Sequence, residues 1–570
     1  ATLAQDPRSR PPEARGAMSL RDEACATPLA LETDGSSRAA ASYNEASRAS
    51  VKTMLAALLR THLRLAWRNW RLFAFARIVV LESLVLIGMW ALFKRLGDSA
   101  ESRYAISVIM SALVAFQMGS SEVMAMQSVV TEMVVDKESK MKVVQLISGV
   151  PLWVYLSGHF LWYSAITGSM SLAFTCVFRS TCLPKSNVIL VAVALHLGFM
   201  QISAWGSMLV TMFEKAKTVS SAIAVFSFIT LLQPGIGALV TTGNLQRILH
   251  FSGDVPRLFW FVVGLLPTCS IGNLLQSVIL LEGGSIDPST YQLIPGMGWD
   301  WGDNFFVKQE FLARFEKGQI SFVKNMLPSA GESFLALIAQ TALLALFALW
   351  LDQVWQGEFG AAKPKLFCFM PAYWCPRRRL QVREFLNVSQ RSRLEQDEES
   401  WGGGFALELL NLRKEFTRKG QPFVAVDDIT LDVRRGEIFA LLGHNGAGKT
   451  TAINCITGMM PLTSGDAFVF GHSVRTSIED VRCNLGVCPQ DNPIYERLSV
   501  GEHIRLFSGL RGSTRPAVEA KAVLSALGLW EKRDARCNAL SGGQKRRLWV
   551  ATALVGDTPV VFLDEPTSGM

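Results

Sequence analysis

The sequence predicts a polytopic α-helical membrane domain followed by a soluble α/β domain built around a phosphate-binding loop. Two compositional observations and one motif predict it. The 570 residues are 49% hydrophobic and only 18% charged, with a mean hydropathy of +0.26, which is more apolar surface than a soluble chain of this length hides in its cores. Uncharged stretches follow one another from residue 152 to 351, whereas beyond Arg377 the composition is that of a soluble α/β domain. Within that second part, residues 443–450 read G-x-x-x-x-G-K-[ST].

Residues 1–50 are rich in Ala, Arg, Ser and Pro and lack the apolar core of a signal peptide, so a disordered cytosolic tail is expected. The chain begins with Ala and stops at Met570 inside a motif, and it reads as a fragment of a longer product. Six basic residues and no acidic one lie from Lys52 to Arg77, directly before the first apolar segment. The net charge of +8 therefore marks a membrane flank, and no nucleic-acid partner is expected. Ten cysteines without C-x-x-C spacing argue against a disulfide or zinc scaffold. Cys176 and Cys182 alone are placed to bridge, or not, outside the membrane.

A membrane domain is expected over 51–355. Its candidate spans, each near the roughly 20 apolar residues that cross the hydrocarbon, are 72–93, 105–130, 152–178, 186–213, 219–245, 258–281 and 333–351. The basic flank places the N-terminus in the cytosol, and an ATP-using C-terminal domain requires the same side, so the crossings must be even in number. Gly264, Pro267 and Gly272 interrupt 258–281, which is expected to turn back as a re-entrant hairpin, leaving six spans; a plain seventh span conflicts with a cytosolic ATP site. Glu82 and Glu122 at membrane depth are open to two readings, a transport pathway or snorkelling and pairing between helices. Trp153, Tyr155, Trp162 and Tyr163 read as interface anchors, and His159 and His196 are given no role. The stretch 131–149, with Val143, Leu146 and Ile147 on one apolar face, is expected to be a cytosolic lever docking near Gln490, with 52–77 as an interfacial helix beside it.

After a cytosolic linker over 356–404, the α/β domain is expected over 405–570. A buried strand is predicted at 438–442, then the loop from Gly443 to Thr450, then a helix. In that context Gly443, Asn445, Gly446 and Gly448 let backbone N–H groups curl round phosphates, with Lys449, Thr450 and Thr451 opening the helix. Lys449 meets the β- and γ-phosphates and the Thr450 hydroxyl ligates Mg²⁺. A second buried strand, Val560 to Leu563, ends in Asp564 and Glu565. Asp564 is expected to hold the metal through water and Glu565 to act as general base.

Between these elements Leu540-Ser541-Gly542-Gly543-Gln544 resembles the signature motif of ABC transporter nucleotide-binding domains. The resemblance implies that Ser541, Gly542, Gly543 and Gln544 close over the ATP of a second nucleotide-binding domain. It also implies that Gln490 contacts metal and water. Phe416 resembles the aromatic that stacks on adenine, with an ordinary core phenylalanine as the other reading. "DKESKMKVVQLISGV", "GVCPQDNPIYERLSVGEHI" and "LDEPTSGM" are similar to subfamily A over roughly residues 50 to 570. That implies a type V exporter-like membrane domain, an ATP hydrolase with ATP and Mg²⁺, a multi-pass membrane location and transport of lipids or other amphipathic molecules. A regulatory membrane protein whose ATP domain gates a partner is the alternative, and the presence of Lys449, Gln490, Asp564 and Glu565 favours transport. Two departures stand out. The loop 94–104 has 11 residues where animal members carry a large extracellular domain, and the chain stops before the family's D-loop aspartate and switch histidine.

Overall fold

The computed structural model describes residues 49–69, 71–96, 100–213, 215, 217–225, 228, 257–290, 292–308, 311–316, 319–325, 327–355, 365–369, 405–418 and 421–567. The expected tail and linker lie outside them except for 49–50 and 365–369. The basic flank is an amphipathic helix α1 (Val51–Arg68), started by Ser50, whose hydroxyl accepts from the Thr53 N–H, and buried along Met54, Leu58 and Leu65. Among the described residues, five helices are long and apolar enough to span a membrane, by length and composition. They lie within α2 (Arg71–Leu96), α3 (Ala100–Glu138), α5 (Leu152–Ser180), α6 (Val188–Met212) and α9 (Ala330–Val354). The expected span 219–245 falls mostly outside the described residues.

The second span outruns its expected end. With no Gly or Pro after Gly119 to stop it, α3 continues for 39 residues to Glu138, roughly 58 Å of helix against about 30 Å of hydrocarbon. The expected lever is therefore divided. Its first part prolongs α3, and Lys140 in the left-handed region (φ 60°) turns the chain into a separate short helix α4 (Met141–Ile147). The buried residues of α4 are Met141, Val144, Gln145 and Ile147, a face rotated from the one expected, with Val143 only partly buried.

The interrupted segment forms two helices, α7 (Arg257–Gly264) and α8 (Cys269–Gly283). A broken helix inside a membrane leaves carbonyls that need donors. Neighbouring side chains supply them: Gln340 Nε2 donates to Phe261 O at 2.8 Å, Gln201 Nε2 to Gly264 O at 2.8 Å and Trp205 Nε1 to Leu265 O at 2.9 Å. Ser270 Oγ donates to Gln340 Oε1 at 2.6 Å and fixes that amide. A Cβ at Gly264 would lie 2.4 Å from Gln340 Nε2, so a larger residue there would displace the amide that serves the Phe261 carbonyl. Gly272 lies inside α8 and breaks nothing.

Glu82 and Glu122 are 8% and 1% exposed, so neither snorkels; Glu122 packs between helices, where a Cβ on Gly198 would lie 2.6 Å from its carboxylate. Of the four expected anchors only Trp153 is exposed. Tyr155, Trp162 and Tyr163 share the inner face of α5 with His159 and are buried. Cys176 and Cys182 are free thiols.

In the C-terminal domain, β5 (Phe405–Arg418) pairs antiparallel with β6 (Gln421–Arg434) and β7 (Ser464–Val469), and β7 with β8 (His472–Ser473), in a sheet of order β6-β5-β7-β8; the short pairs β1 (Ser285–Ile286) with β2 (Leu293–Ile294) and β3 (Phe311–Glu316) with β4 (Gln319–Lys324), between α8 and α9, precede them. A second, parallel pair joins β9 (Leu485–Cys488) to β10 (Val560–Leu563), with α11 (Ile478–Cys483) before β9 and α13 (Pro516–Ala526) between the two strands in the sequence. The expected strand 438–442 is absent: no described strand pairs with it, and Ile438 and Leu442 are 99% and 86% exposed. Local apolar sequence proposes a strand, but only a ladder partner makes one. For the same reason β10, paired on one side alone, is half-buried and not fully buried.

Candidate functional site

The phosphate loop leads into α10 (Lys449–Ile456). Gly446 and Gly448 adopt φ of 84° and 90°, conformations that glycine takes without strain. A Cβ on Gly448 would also lie 2.3 Å from the Ala425 carbonyl. The loop is thus a cradle that side chains would fill, and it fits a nucleotide phosphate at the N-terminus of α10. Lys449 Nζ folds over the loop, donating to the carbonyls of Gly443 at 2.7 Å and His444 at 3.0 Å. Thr450 and Thr451 stand in the first turn of α10, half-buried, while His444 and Asn445 are exposed.

The parallel pairing of β9 and β10 places both strands' C-terminal ends together, with Leu563 opposite Cys488. The Asp564 N–H donates to the Cys488 carbonyl at 3.0 Å. Asp564 is buried, and Glu565 turns outward through a left-handed conformation, φ 49°, the kind of strain that collects at functional sites. Gln490, two residues beyond β9, donates from Nε2 to Glu565 Oε2 at 3.3 Å. Gln490, Asp564 and Glu565 are therefore brought together. No hydrogen bond or ion pair ties either carboxylate to the phosphate loop among the described residues.

Arg546 is a residue that the sequence reading missed. It lies in α14 (Gly542–Leu554), in a Lys-Arg-Arg run that looks like a solvated face, yet is 1% exposed. Its guanidinium donates to the carbonyls of Gln490 at 3.2 Å and Glu565 at 2.8 Å, and to those of Pro489 and Asp564. One side chain thus clamps both loops. Ser541 is the N-cap of α14 in a capping box, its hydroxyl accepting from the Gln544 N–H at 3.3 Å while Gln544 Oε1 accepts from the Ser541 N–H at 3.0 Å. Space around Gly542 is open, with nothing near its Cβ position. Phe416 is paired across β5 and β6 with Phe423 and is 37% exposed, with Lys414 Nζ 4.9 Å above its ring; it is not a core phenylalanine.

The same loop reaches the membrane domain. Tyr495 OH donates to Asp136 on α3 at 3.3 Å and accepts from Gln145 Nε2 on α4 at 2.5 Å. Lys140 pairs with Asp491. Gly149 lies against Cys483 and Arg482, and Lys142 pairs with Asp352 on α9 at 2.7 Å. On the other side of the joint Arg68 of α1 meets Glu502 of α12 (Val500–Leu510) at 2.6 Å. Burial raises the Glu502 carboxyl, but the Ser499 N–H and Arg68 hold it below its usual value overall. Beneath Tyr495, the buried His62 and His159 face Glu132 at 3.4 Å and Asp136 at 3.8 Å, a cluster with no sequence signal beyond its residue types.

Fold and site together define a polytopic membrane protein joined to an ATP-binding cassette. Residues 426–568 match the family model described as ABC transporter, and residues 94–350 match that described as ABC-2 family transporter protein. The chain thus carries an ABC transporter nucleotide-binding domain and an ABC-2 membrane domain, and the curated relatives it resembles are members of subfamily A. Over 242 residues it is 36% identical to the phospholipid-transporting ATPase ABCA3 of Rattus norvegicus, covering 41% of this chain and 14% of the relative. Over 291 residues it is 36% identical to the retinal-specific phospholipid-transporting ATPase ABCA4 of Homo sapiens, covering 46% of this chain and 13% of the relative. The aligned part thus spans about a seventh of the length of these relatives. The dimeric structure of MJ0796, a bacterial ABC transporter cassette, is 22% identical, covering 29% of this chain and 75% of that chain at a TM-score of 0.28.

Proposed function

We propose that this protein is part of an ATP-driven transporter that moves phospholipids or other amphipathic molecules across a membrane. The observation that carries the reading is the continuity between Glu565, Gln490 and Tyr495, and from Tyr495 into α3 and α4. Bound ATP supplies the phosphoanhydride whose cleavage drives the cycle, with Mg²⁺ offsetting its charge. Gly443, Asn445, Gly446, Gly448, Lys449, Thr450 and Thr451 hold the phosphates, and Phe416 faces the base. Thr450, Gln490 and Asp564 would hold the metal, which would offset the charge of the phosphates. Glu565, aimed by its backbone and by Gln490, takes the proton of the attacking water. Ser541, Gly542, Gly543 and Gln544 close over the nucleotide of a second nucleotide-binding domain, a reading supported by the open space at Gly542 and by a cap of α14 that makes no hydrogen bond to its own phosphate loop among the described residues. A lipid substrate is supported by the names of the relatives, which are phospholipid-transporting ATPases.

The test is reconstitution of the full-length protein in vesicles carrying a headgroup-labelled phospholipid. ATP-dependent movement of the label between leaflets is expected. ATP hydrolysis without any lipid movement, together with an ATP-dependent change in a partner's activity, would replace transport with a regulatory role.

A further inference from the structure

On the extracytosolic side, a short segment between β2 and β3 holds four aromatic rings in one stack. Trp299 is fully buried; its ring lies 5.9 Å from Phe305, and Phe305 lies 5.7 Å from Trp301 with the planes 8° apart. Phe306 meets Phe305 edge-on at 4.9 Å. The stack stands on Phe334, in the first turns of α9, at 5.6 Å from Trp299 and 6.1 Å from Trp301. Its backbone is pinned at both ends. The Trp299 N–H donates to Ser186 Oγ at 3.0 Å, the Asn187 N–H to the Trp299 carbonyl at 2.8 Å, and the Gly331 N–H to the Phe305 carbonyl at 2.9 Å. The segment therefore bridges the start of α6 to the start of α9.

Two rings of this stiff plate point outward. Trp301 is 57% and Phe306 58% exposed. Large aromatic rings held rigidly in water forfeit the burial they could have. Their surroundings say what covers them: the rings stand at the start of α9, a helix long and apolar enough to span a membrane, whose Leu335 and Ile338, one and four residues beyond Phe334, are also exposed at 50% and 42%. A bilayer around that span would cover its exposed apolar side chains. Indole and phenyl rings at a span's end sit at the boundary between headgroups and acyl chains. The segment 297–306 carries Asp300 and Asp303 and no basic residue, and the neighbouring Lys185 is engaged with the Gly296 carbonyl at 2.8 Å; the two carboxylates beside the exposed rings suit a zwitterionic headgroup, whose ammonium also meets an indole face.

We infer that residues 299–306 form a lipid-surface anchor that inserts Trp301 and Phe306 into the outer leaflet of the protein's own membrane, with a preference for zwitterionic headgroups. Because the same plate ties α6 to α9, the leaflet fixes the depth of both helix ends. This inference rests on the membrane domain alone and not on transport.

A photoreactive benzoylphenylalanine placed at position 301, 303 or 306 of the full-length protein in phosphatidylcholine vesicles tests it, with adducts identified by mass spectrometry. Lipid adducts are expected from 301 and 306 and not from 303, and the yield at 306 should fall about fivefold when phosphatidylglycerol replaces phosphatidylcholine. Protection of Trp301 and Phe306 is also expected in unsubstituted protein, as loss of oxidative footprinting on these two side chains on moving from detergent-free amphipol to vesicles. Adducts to protein in place of lipid, equal lipid yield from all three positions, or unchanged footprinting would overturn the anchor. Lipid adducts with no headgroup dependence would overturn the zwitterionic preference.

Discussion

Tyr495→Phe isolates the joint between the two domains. The substitution keeps the ring in its packing and removes one oxygen, which donates to Asp136 at 3.3 Å and accepts from Gln145 at 2.5 Å. Burial, with Asp136 next in weight, pushes this phenol well above its usual range, so it is a neutral donor throughout the physiological range. A hydrogen bond to a charged acceptor is worth about 1.5 to 3 kcal/mol. Its loss should therefore weaken engagement of the Gln490 loop with α3 and α4 by roughly 10- to 100-fold. In the full-length protein in vesicles, nucleotide affinity should stay within about twofold, since no phosphate contact changes, while lipid moved per ATP falls. A cycle with Gln145→Met should give a coupling energy of at least about 0.5 kcal/mol between the two sites. Unchanged lipid per ATP in a folded Tyr495→Phe protein, or strict additivity with Gln145→Met, would refute the claim that this hydroxyl carries the coupling.

Gly448→Ala combines an unfavourable φ of 90° with a Cβ 2.3 Å from the Ala425 carbonyl, and should weaken ATP binding by more than about tenfold in a nucleotide-binding titration. Arg546→Met leaves four loop carbonyls without their donor; a loss of about 3 kcal/mol or more of cassette stability is expected in denaturant unfolding, and a loss under about 1 kcal/mol would show that water replaces the clamp. Burial pushes the Cys488 thiol to about 11 and the Cys537 thiol to about 12. A raised value favours the neutral thiol, so at pH 8 only about one Cys488 in a thousand is thiolate; both should resist alkylation in native protein and react once the cassette is unfolded.

Much of this architecture was legible because membrane spans and phosphate loops write themselves locally. Twenty apolar residues make a span whatever surrounds them, and the break at Gly264 and Pro267 needed only glycine and proline rules. The strand at 438–442 failed because a strand depends on a neighbour elsewhere in the chain. The lever at 131–149 was correctly placed beside the cassette, but its division at Lys140 carries no sequence mark, since a lysine rarely takes φ 60°. At the site, residues spaced within one motif were readable. Arg546 was not, because its burial comes from loops 56 and 19 residues away, and neither was Tyr495, whose partners lie 359 and 350 residues away. Tyr155, Trp162 and Tyr163 pack inward on α5 against the expectation of interface anchors, because aromatic residue type does not reveal which side of a helix a neighbour covers.

The central claim is that ATP hydrolysis at Glu565 drives lipid movement through the membrane domain, and Glu565→Gln in the full-length protein tests it most directly. Its carboxylate accepts from Gln490 at 3.3 Å, and an amide of the same shape keeps the position while losing the base. The account predicts that this variant binds ATP with affinity within about twofold of the parent, while hydrolysis falls by two to four orders of magnitude, about the contribution of a positioned general base. ATP-driven movement of labelled phospholipid between leaflets should fall with it. Undiminished hydrolysis would remove Glu565 from the reaction, and undiminished lipid movement with hydrolysis abolished would contradict the coupling of transport to ATP turnover.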